Sequence, residues 1–263
     1  MASAYAAAQN GAKVILAEDK PRFGGSLLTS EVTIGNQSGQ EWAEKIISEL
    51  KSMPNVIVRN RSQIFGYYDH NMLVMSERIS DHLPKTEKYS PKQRLWYIRA
   101  KEVIISSGSI ERPLVFGNND TPGVMLSSAA KEYLKVYGVL VGKKPIIFTN
   151  NDSGYETAIE FKKNGIDPVI LDTRKDPSSE IVNEAKSLNI DIKFSYVVVC
   201  AKGYKKVKSA DIAKISDDKK QLSQIENIKC DCICVSGFWT PTIHLASQSG
   251  NKTKFNEDID AFI

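Results

Sequence analysis

Apolar positions along the chain fall into two successive series that follow the same plan. In the first, Ala2 to Gln9 is a run of strong helix formers, Asn10-Gly11 supplies a stop, and Lys13 to Ala17 is a short apolar strand. Trp42, Ala43, Ile46, Ile47 and Leu50 recur at the spacing of one helical face, which predicts a helix from Trp42 to Met53 closed by Pro54. Strands are then predicted at Val56 to Val58, Ile64 to Tyr68, Met72 to Met75 and Leu95 to Ile98, with a polar loop over Asp81 to Lys92. A last apolar strand is predicted at Glu102 to Gly108. This series starts inside a helix, so it reads as the second part of a βαβ unit whose first strand and glycine loop lie before Met1.

The second series repeats the order. A strand at Pro145 to Phe148, a helix at Ser153 to Lys163, a strand at Pro168 to Leu171 and a helix at Ser178 to Leu188 come first. Strands at Ile192 to Cys200, Val207 to Ile215 and Ile225 to Ile228 follow, and Cys232 to Gly237 closes the series. Each half ends on an apolar strand capped by Ser-Gly, with a proline shortly after at Pro113 and Pro241. The expected fold is therefore α/β, with two Rossmann-like (FAD/NAD(P)-binding) lobes carrying β-meander insertions and the first lobe incomplete at both ends. The expected division is 1–139 for the first lobe, 140–238 for the second, and 239–263 for a return to the first.

Composition narrows the class. With 41% hydrophobic and 25% charged residues in 263, the chain can bury a core, and no apolar run approaches a membrane span. Thirty-five basic against 31 acidic residues leave +4, far too little to argue for nucleic acid. The lysines at 202, 205, 206, 208, 214, 219 and 220 read as a solvated strand face. The alanine-rich start lacks a basic n-region, so the cytoplasm is the expected location. Cys230, Cys232 and Cys234 alternate at strand spacing and are expected on one face as small buried hydrophobes. With no C-x-x-C and only His70, His82 and His244, neither a zinc site nor a redox dithiol is expected, which disfavours an independent NAD-linked disulfide reductase.

Candidate chemistry sits where strands end. A Rossmann unit holds a dinucleotide through a glycine turn at a helix N-terminus and an acid at the end of the next strand, which accepts a ribose hydroxyl. Glu18 stands at such a strand end, followed by Arg22-Phe23-Gly24-Gly25-Ser26, whose glycines allow close backbone approach. A surface glutamate before an ordinary turn is the plainer alternative. In the second half, Thr149 and Asn151 take the first two glycine places of G-x-G-x-x-G and only Gly154 keeps the third, although Asp172 stands at the next strand end. Reuse of the fold without nucleotide is the expectation there. Arg112, in the Ser107 to Pro113 crossing, could meet a phosphate or carboxylate, or pair with an acid such as Glu111. No catalytic constellation is visible.

The segments AKVILAEDKPRFGGSLL from Ala12, GYYDHN from Gly66 and RLWYIRAKEVIISSGSIERPLVFGNNDTPGVML from Arg94 resemble the alpha subunit of heterotetrameric sarcosine oxidase, as do FTNNDSGYETA and CDCICVSGFWTPTIHLASQSG. The resemblance covers essentially the whole chain, as a central portion of a longer subunit. It implies an oxidoreductase assembly acting on a small amine, converting sarcosine to glycine with FAD and FMN, in which beta, gamma and delta subunits are partners and a partner subunit performs the oxidation. It further implies NAD or FAD in the first lobe, lined by Glu18, Gly24, Gly25, Ser26, Ser107 and Gly108, with Arg22 in the same turn and Arg112 nearby. Three departures from the family's pattern stand out: the glycine loop is not in this chain, Ser106-Ser107-Gly108 replaces Ala-Thr-Gly, and Phe238 replaces a glycine. A scaffold protein that kept the fold and lost the cofactor is the alternative from another class.

Overall fold

The computed structural model describes residues 1–263, which form two compact units. The first comprises Met1–Gly108, Thr242–Asn256 and Asp260–Ile263; the second comprises Ser109–Pro241 and Glu257–Ile259.

In the first unit, α1 (Ala2–Gln9) leads to β1 (Val14–Ala17), and α2 (Gly39–Ser52) leads to β2 (Val56–Arg59), which pairs parallel to β1 with Leu16 opposite Val58. The start of α2 is fixed by a capping box, in which Ser38 Oγ accepts from Glu41 N and the Glu41 carboxylate accepts from Ser38 N. Its end is fixed by Met53, extended ahead of Pro54 as a residue before proline prefers. The apolar stripe read from the sequence is the buried one: Ile46, Ile47 and Leu50 pack with Ala8 against Val14, Leu16, Val56 and Val58. Strands β3 (Ser62–Tyr68), β4 (Met72–Arg78) and β5 (Gln93–Arg99) then form an antiparallel meander.

The strand expected at Glu102 to Gly108 is not formed. The segment finds no ladder partner, and Ile104 is left 67% exposed. Apolar character alone predicted a strand there, but a strand also needs a neighbour for its backbone groups.

The second unit opens with β6 (Ser109–Glu111), β7 (Val124–Leu126) and α3 (Ser127–Tyr137). It continues through β8 (Pro145–Thr149), α4 (Ser153–Lys163), β9 (Val169–Asp172), α5 (Glu180–Ser187) and β10 (Asp191–Phe194). The strands β11 (Tyr196–Gly203), β12 (Val207–Lys214) and β13 (Glu226–Lys229) form an antiparallel layer, followed by β14 (Cys232–Ser236) and β15 (Trp239–Pro241). A five-stranded parallel sheet runs in the order β10, β9, β8, β14, β7. Strands β8 and β14 are buried at every position, as a parallel sheet covered on both faces requires. On one face Ile147, Ile170 and Cys234 meet Tyr155, Ala158 and Phe161 of α4 and Val182 and Ala185 of α5. On the other, Ile146, Phe148, Leu171 and Val235 meet Val198, Ala201, Val207 and Ile212 of the antiparallel layer. The chain then re-enters the first unit through α6 (His244–Gln248), where the Gln248 side chain accepts from Tyr67 N at 2.9 Å.

Three expectations are corrected. The division falls at Gly108, not at residue 139, because β7 is hydrogen-bonded to β14 and α3 packs on α4, where Thr157 Oγ1 donates to the Ser127 carbonyl at 3.1 Å. The strand expected over Ile192 to Cys200 is two strands, broken at Ser195, whose φ of +58° turns the chain from the parallel sheet into the antiparallel layer. Cys230 does not share a face with Cys232 and Cys234. It lies in the cluster beneath the antiparallel layer, because β14 begins only at Cys232 and the Asp231 carboxylate is held aside by Lys143 N and Lys144 N. No helix is long and apolar enough to cross a membrane.

Candidate dinucleotide-binding site

Glu18 follows β1 directly and is fixed through its backbone: its N–H donates to Arg59 O at 2.9 Å and its carbonyl accepts from Ser62 N at 2.8 Å. Its side chain curls over the turn, where Oε1 accepts from Lys20 N at 3.1 Å. Partial burial, and then the hydrogen-bonded neighbour Asp19, push the Glu18 carboxyl up to about 7, while the Lys20 N–H acts in the opposite direction. The acid is held at the strand end, half-buried and open to solvent on one side.

The glycine turn comes next. Gly24 has φ +131° and Gly25 φ +54°, conformations that side chains disfavour. A Cβ on Gly24 would also lie 2.9 Å from the buried Leu28 side chain, whereas one on Gly25 would meet nothing within 4 Å. Gly25 therefore fronts open space, as close approach of a ligand to the backbone needs. Ser26 lies in the short helical turn Gly25–Leu28, with its carbonyl taken by Thr29 N and Ser30 N. Arg22 is exposed and pairs with Glu44 at 3.0 Å. Ser107 Oγ donates to Thr242 O at 2.7 Å, and Gly108, at φ +67°, accepts from Thr242 N at 2.9 Å. Glu18, Arg22, Gly24, Gly25, Ser26, Ser107 and Gly108 thus all belong to the first unit, while Arg112 belongs to the second. There its Nη2 donates to Ile259 O at 2.9 Å and its guanidinium lies over the Phe238 ring. An acid at a strand end and an open glycine turn can hold a ribose hydroxyl and let a nucleotide approach the backbone. These residues fit the ribose end of a dinucleotide.

The corresponding place in the second unit is built differently. Asn151, at the second glycine position, is buried, and its Nδ2 donates to Ser236 O and Ser236 Oγ, each at 3.2 Å. Its Oδ1 accepts from Ser153 N at 2.9 Å and from Ser153 Oγ. Gly154 keeps the helix-packing role of the third glycine, since a Cβ there would lie 2.7 Å from Thr149 Cβ. Asp172, at the strand end as read, is fully buried. Its Oδ2 accepts from Tyr155 Oη at 2.7 Å and Arg174 Nη2 at 2.9 Å, and its Oδ1 accepts from Arg174 N at 2.9 Å. Burial and the Asp172 hydrogen bond push the Tyr155 phenol well above its ordinary range. Sequence reading missed Tyr155 and Arg174. The one local signal was Arg174 two residues beyond an acid at a strand end; its meeting with Tyr155 depends on the helix returning to the sheet.

Two lobes, each with a parallel sheet, crossover helices and an acid at a strand end, define the fold of the FAD/NAD(P)-binding oxidoreductases. Thioredoxin reductase from T. acidophilum superposes with a TM-score of 0.70 at 16% identity over 97% of this chain and 78% of that one. L-proline dehydrogenase from P. horikoshii gives 0.65 at 19% identity over 99% of this chain and 43% of that one. In sequence, the chain is similar over its whole length to sarcosine oxidase alpha subunits. It is 36% identical to the alpha subunit from Rhizobium meliloti (strain 1021), covering 100% of this chain and 26% of that protein. It is 30% identical to the subunit from Corynebacterium sp. (strain U-96), covering 100% of this chain and 28% of that protein. The chain thus spans about a quarter of these relatives' length. No family model matches it.

Proposed function

We propose that this chain is the dinucleotide-binding part of a sarcosine oxidase-type alpha subunit. The observation that carries the reading is 36% identity across the whole chain to a protein of that name. The open Gly25 turn after the half-buried Glu18 adds to it. In this reading Glu18 accepts a ribose hydroxyl of NAD or FAD, and Gly24, Gly25 and Ser26 let the backbone approach the nucleotide, with Ser107 and Gly108 completing the first-lobe lining. Arg22 lies at the edge of the same turn, paired with Glu44. The bound dinucleotide supplies hydride-accepting chemistry, while the chain's own residues bind and orient it. The assembly contains beta, gamma and delta subunits with FAD and FMN, and a partner subunit converts sarcosine to glycine oxidatively. Its location is the cytoplasm.

The test is co-expression with a flavin-bearing partner subunit, followed by flavin reduction on adding sarcosine and by analysis of released nucleotide. Sarcosine-dependent bleaching in wild type and variants alike, together with one dinucleotide per chain that is lost only in Glu18→Ala and Gly25→Val, is the expected result. An assembly that carries the same nucleotide in both variants would remove Glu18 and Gly25 from the site, and one that does not bleach with sarcosine would remove the oxidase reading.

A further inference from the structure

The fold implies a second dinucleotide, held between the helix N-terminus of the second unit and the acid at the end of β9. The residues present do not fit one. From this mismatch we infer that the second unit takes no dinucleotide, and that Arg174 is the permanent internal ligand of the acid that a ribose would otherwise meet.

Each element of a dinucleotide site is already engaged by the chain. A phosphate at a helix N-terminus needs free amide donors. In α4 the first of these, Ser153 N, is taken by Asn151 Oδ1 at 2.9 Å, and Asn151 is itself clamped to Ser236. Trp239 Nε1 donates to Ser153 Oγ at 3.0 Å, so an indole sits against the same first residue of the helix. The residue preceding the helix is Asp152, whose carboxylate is already the anion at the positive end of the helix dipole. A pyrophosphate arriving there would meet like charge. A ribose needs an accessible acid, but Asp172 is fully buried and both of its oxygens are occupied by Arg174, with Tyr155 as a third donor.

Electrostatics explain why this arrangement holds without a ligand. Arg174 bridges Asp172 at 2.9 Å and Asp152 at 2.8 Å, so one guanidinium spans the acid and the helix N-terminus. Opening the site would strip Asp172 of its only cationic partner in that bridge while leaving it in the core, which is among the costliest changes a buried carboxylate can undergo. The comparison with Glu18 is direct. That acid also ends a strand, but it stays half-exposed and is held by a turn amide, not by a guanidinium. The inference does not depend on which nucleotide the first unit takes.

The experiment is amide hydrogen exchange on the full chain with and without millimolar NAD or NADP, combined with thermal unfolding of Arg174→Ala and Tyr155→Phe. Exchange over residues 149–155 and 172–174 is expected to be unchanged by either nucleotide. Both variants are expected to melt lower, Arg174→Ala by at least about 5 °C. If Arg174→Ala does not fold, that is the same loss in its extreme form, and Tyr155→Phe supplies the graded value. Nucleotide-dependent protection of 149–155 or 172–174 in the wild-type chain overturns the inference, and so does a Tm unchanged in both variants. Loss or absence of protection over residues 18–28 bears only on the first-unit reading above.

Discussion

Arg112 donates its backbone N–H to the Phe238 carbonyl at 2.8 Å, and its guanidinium carbon lies 5.9 Å from the centroid of the Phe238 ring. The pair matters because Phe238 holds φ at +91°, a backbone conformation that glycine adopts freely and a bulky residue does not. The ring contact, the Gly237 N–H donated to Arg112 O before Phe238 and the β6–β15 pairing after it hold that strain in place. Substitution separates backbone from ring. Phe238→Ala and Phe238→Gly both lose the ring, but only glycine relieves the backbone, so the glycine variant should be the more stable by about 1 kcal/mol. Denaturant unfolding of the two variants measures it, and an alanine variant equal to or above the glycine one would show that Phe238 is not strained.

Glu18 gives a pH dependence of known sign. Its carboxyl rises from 4.5 to about 7 on folding, so the folded chain holds a proton that the unfolded chain releases at lower pH. The resulting stabilisation is complete below about pH 4.5 and is lost as pH rises through about 7. Glu18→Gln should flatten that part of the stability profile, by roughly 1 kcal/mol once solvent screening of a half-exposed group is included. Urea unfolding below about pH 4.5 and above about pH 7 tests this, and identical profiles for wild type and variant would refute it. The same titration bears on ligand binding, because an ionised Glu18 is the stronger hydroxyl acceptor.

The four cysteines should divide by accessibility. Cys230, Cys232 and Cys234 are 3%, 1% and 0% exposed, whereas Cys200 is only partly buried. Burial, then the neighbouring Cys232 and Asp231, push the Cys230 thiol up to about 12, which leaves almost no thiolate at neutral pH. A maleimide titration is expected to modify Cys200 alone in the native chain and all four thiols in denaturant. Native labelling of any β14 cysteine would mean that the parallel sheet opens far more readily than its packing implies.

What could be read from the sequence was whatever depends on local period. Ile46, Ile47 and Leu50 lie on one helical face whatever the rest of the chain does, and the buried runs of β8 and β14 needed no further information. The misreadings arose where a second segment decides. Whether Val103 to Ile105 forms a strand depends on a neighbour, and alternation through Cys230 fails because two distant backbone amides hold Asp231. Glu18 and Asp172 occupy the same place in the repeat, but only the fold reveals that Tyr155 and Arg174 fill the second and leave the first open. The place of each acid in the repeat was therefore legible in the sequence, and the partners of each acid were not.

Gly154 sets two effects of opposite sign against each other. Replacing glycine by alanine inside a helix ordinarily stabilises by up to about 1 kcal/mol, through helix propensity and a less flexible unfolded chain. At Gly154 the new Cβ would lie 2.7 Å from Thr149 Cβ and 2.8 Å from Thr149 Oγ1. Thr149 cannot give way easily: it is fully buried in β8, and its hydroxyl both donates to Asn151 O at 2.8 Å and accepts from Asn151 N at 3.1 Å. Relief therefore requires α4 to move off the sheet, which also disturbs Tyr155 against Asp172. Overpacking of this kind costs about 1–3 kcal/mol, so the clash outweighs the propensity gain. Gly154→Ala is expected to lower the Tm, and Gly154→Val to lower it further. A Gly154→Ala chain that melts at or above wild type would show that helix and strand are not in close contact here, and that the last glycine of the motif no longer serves packing.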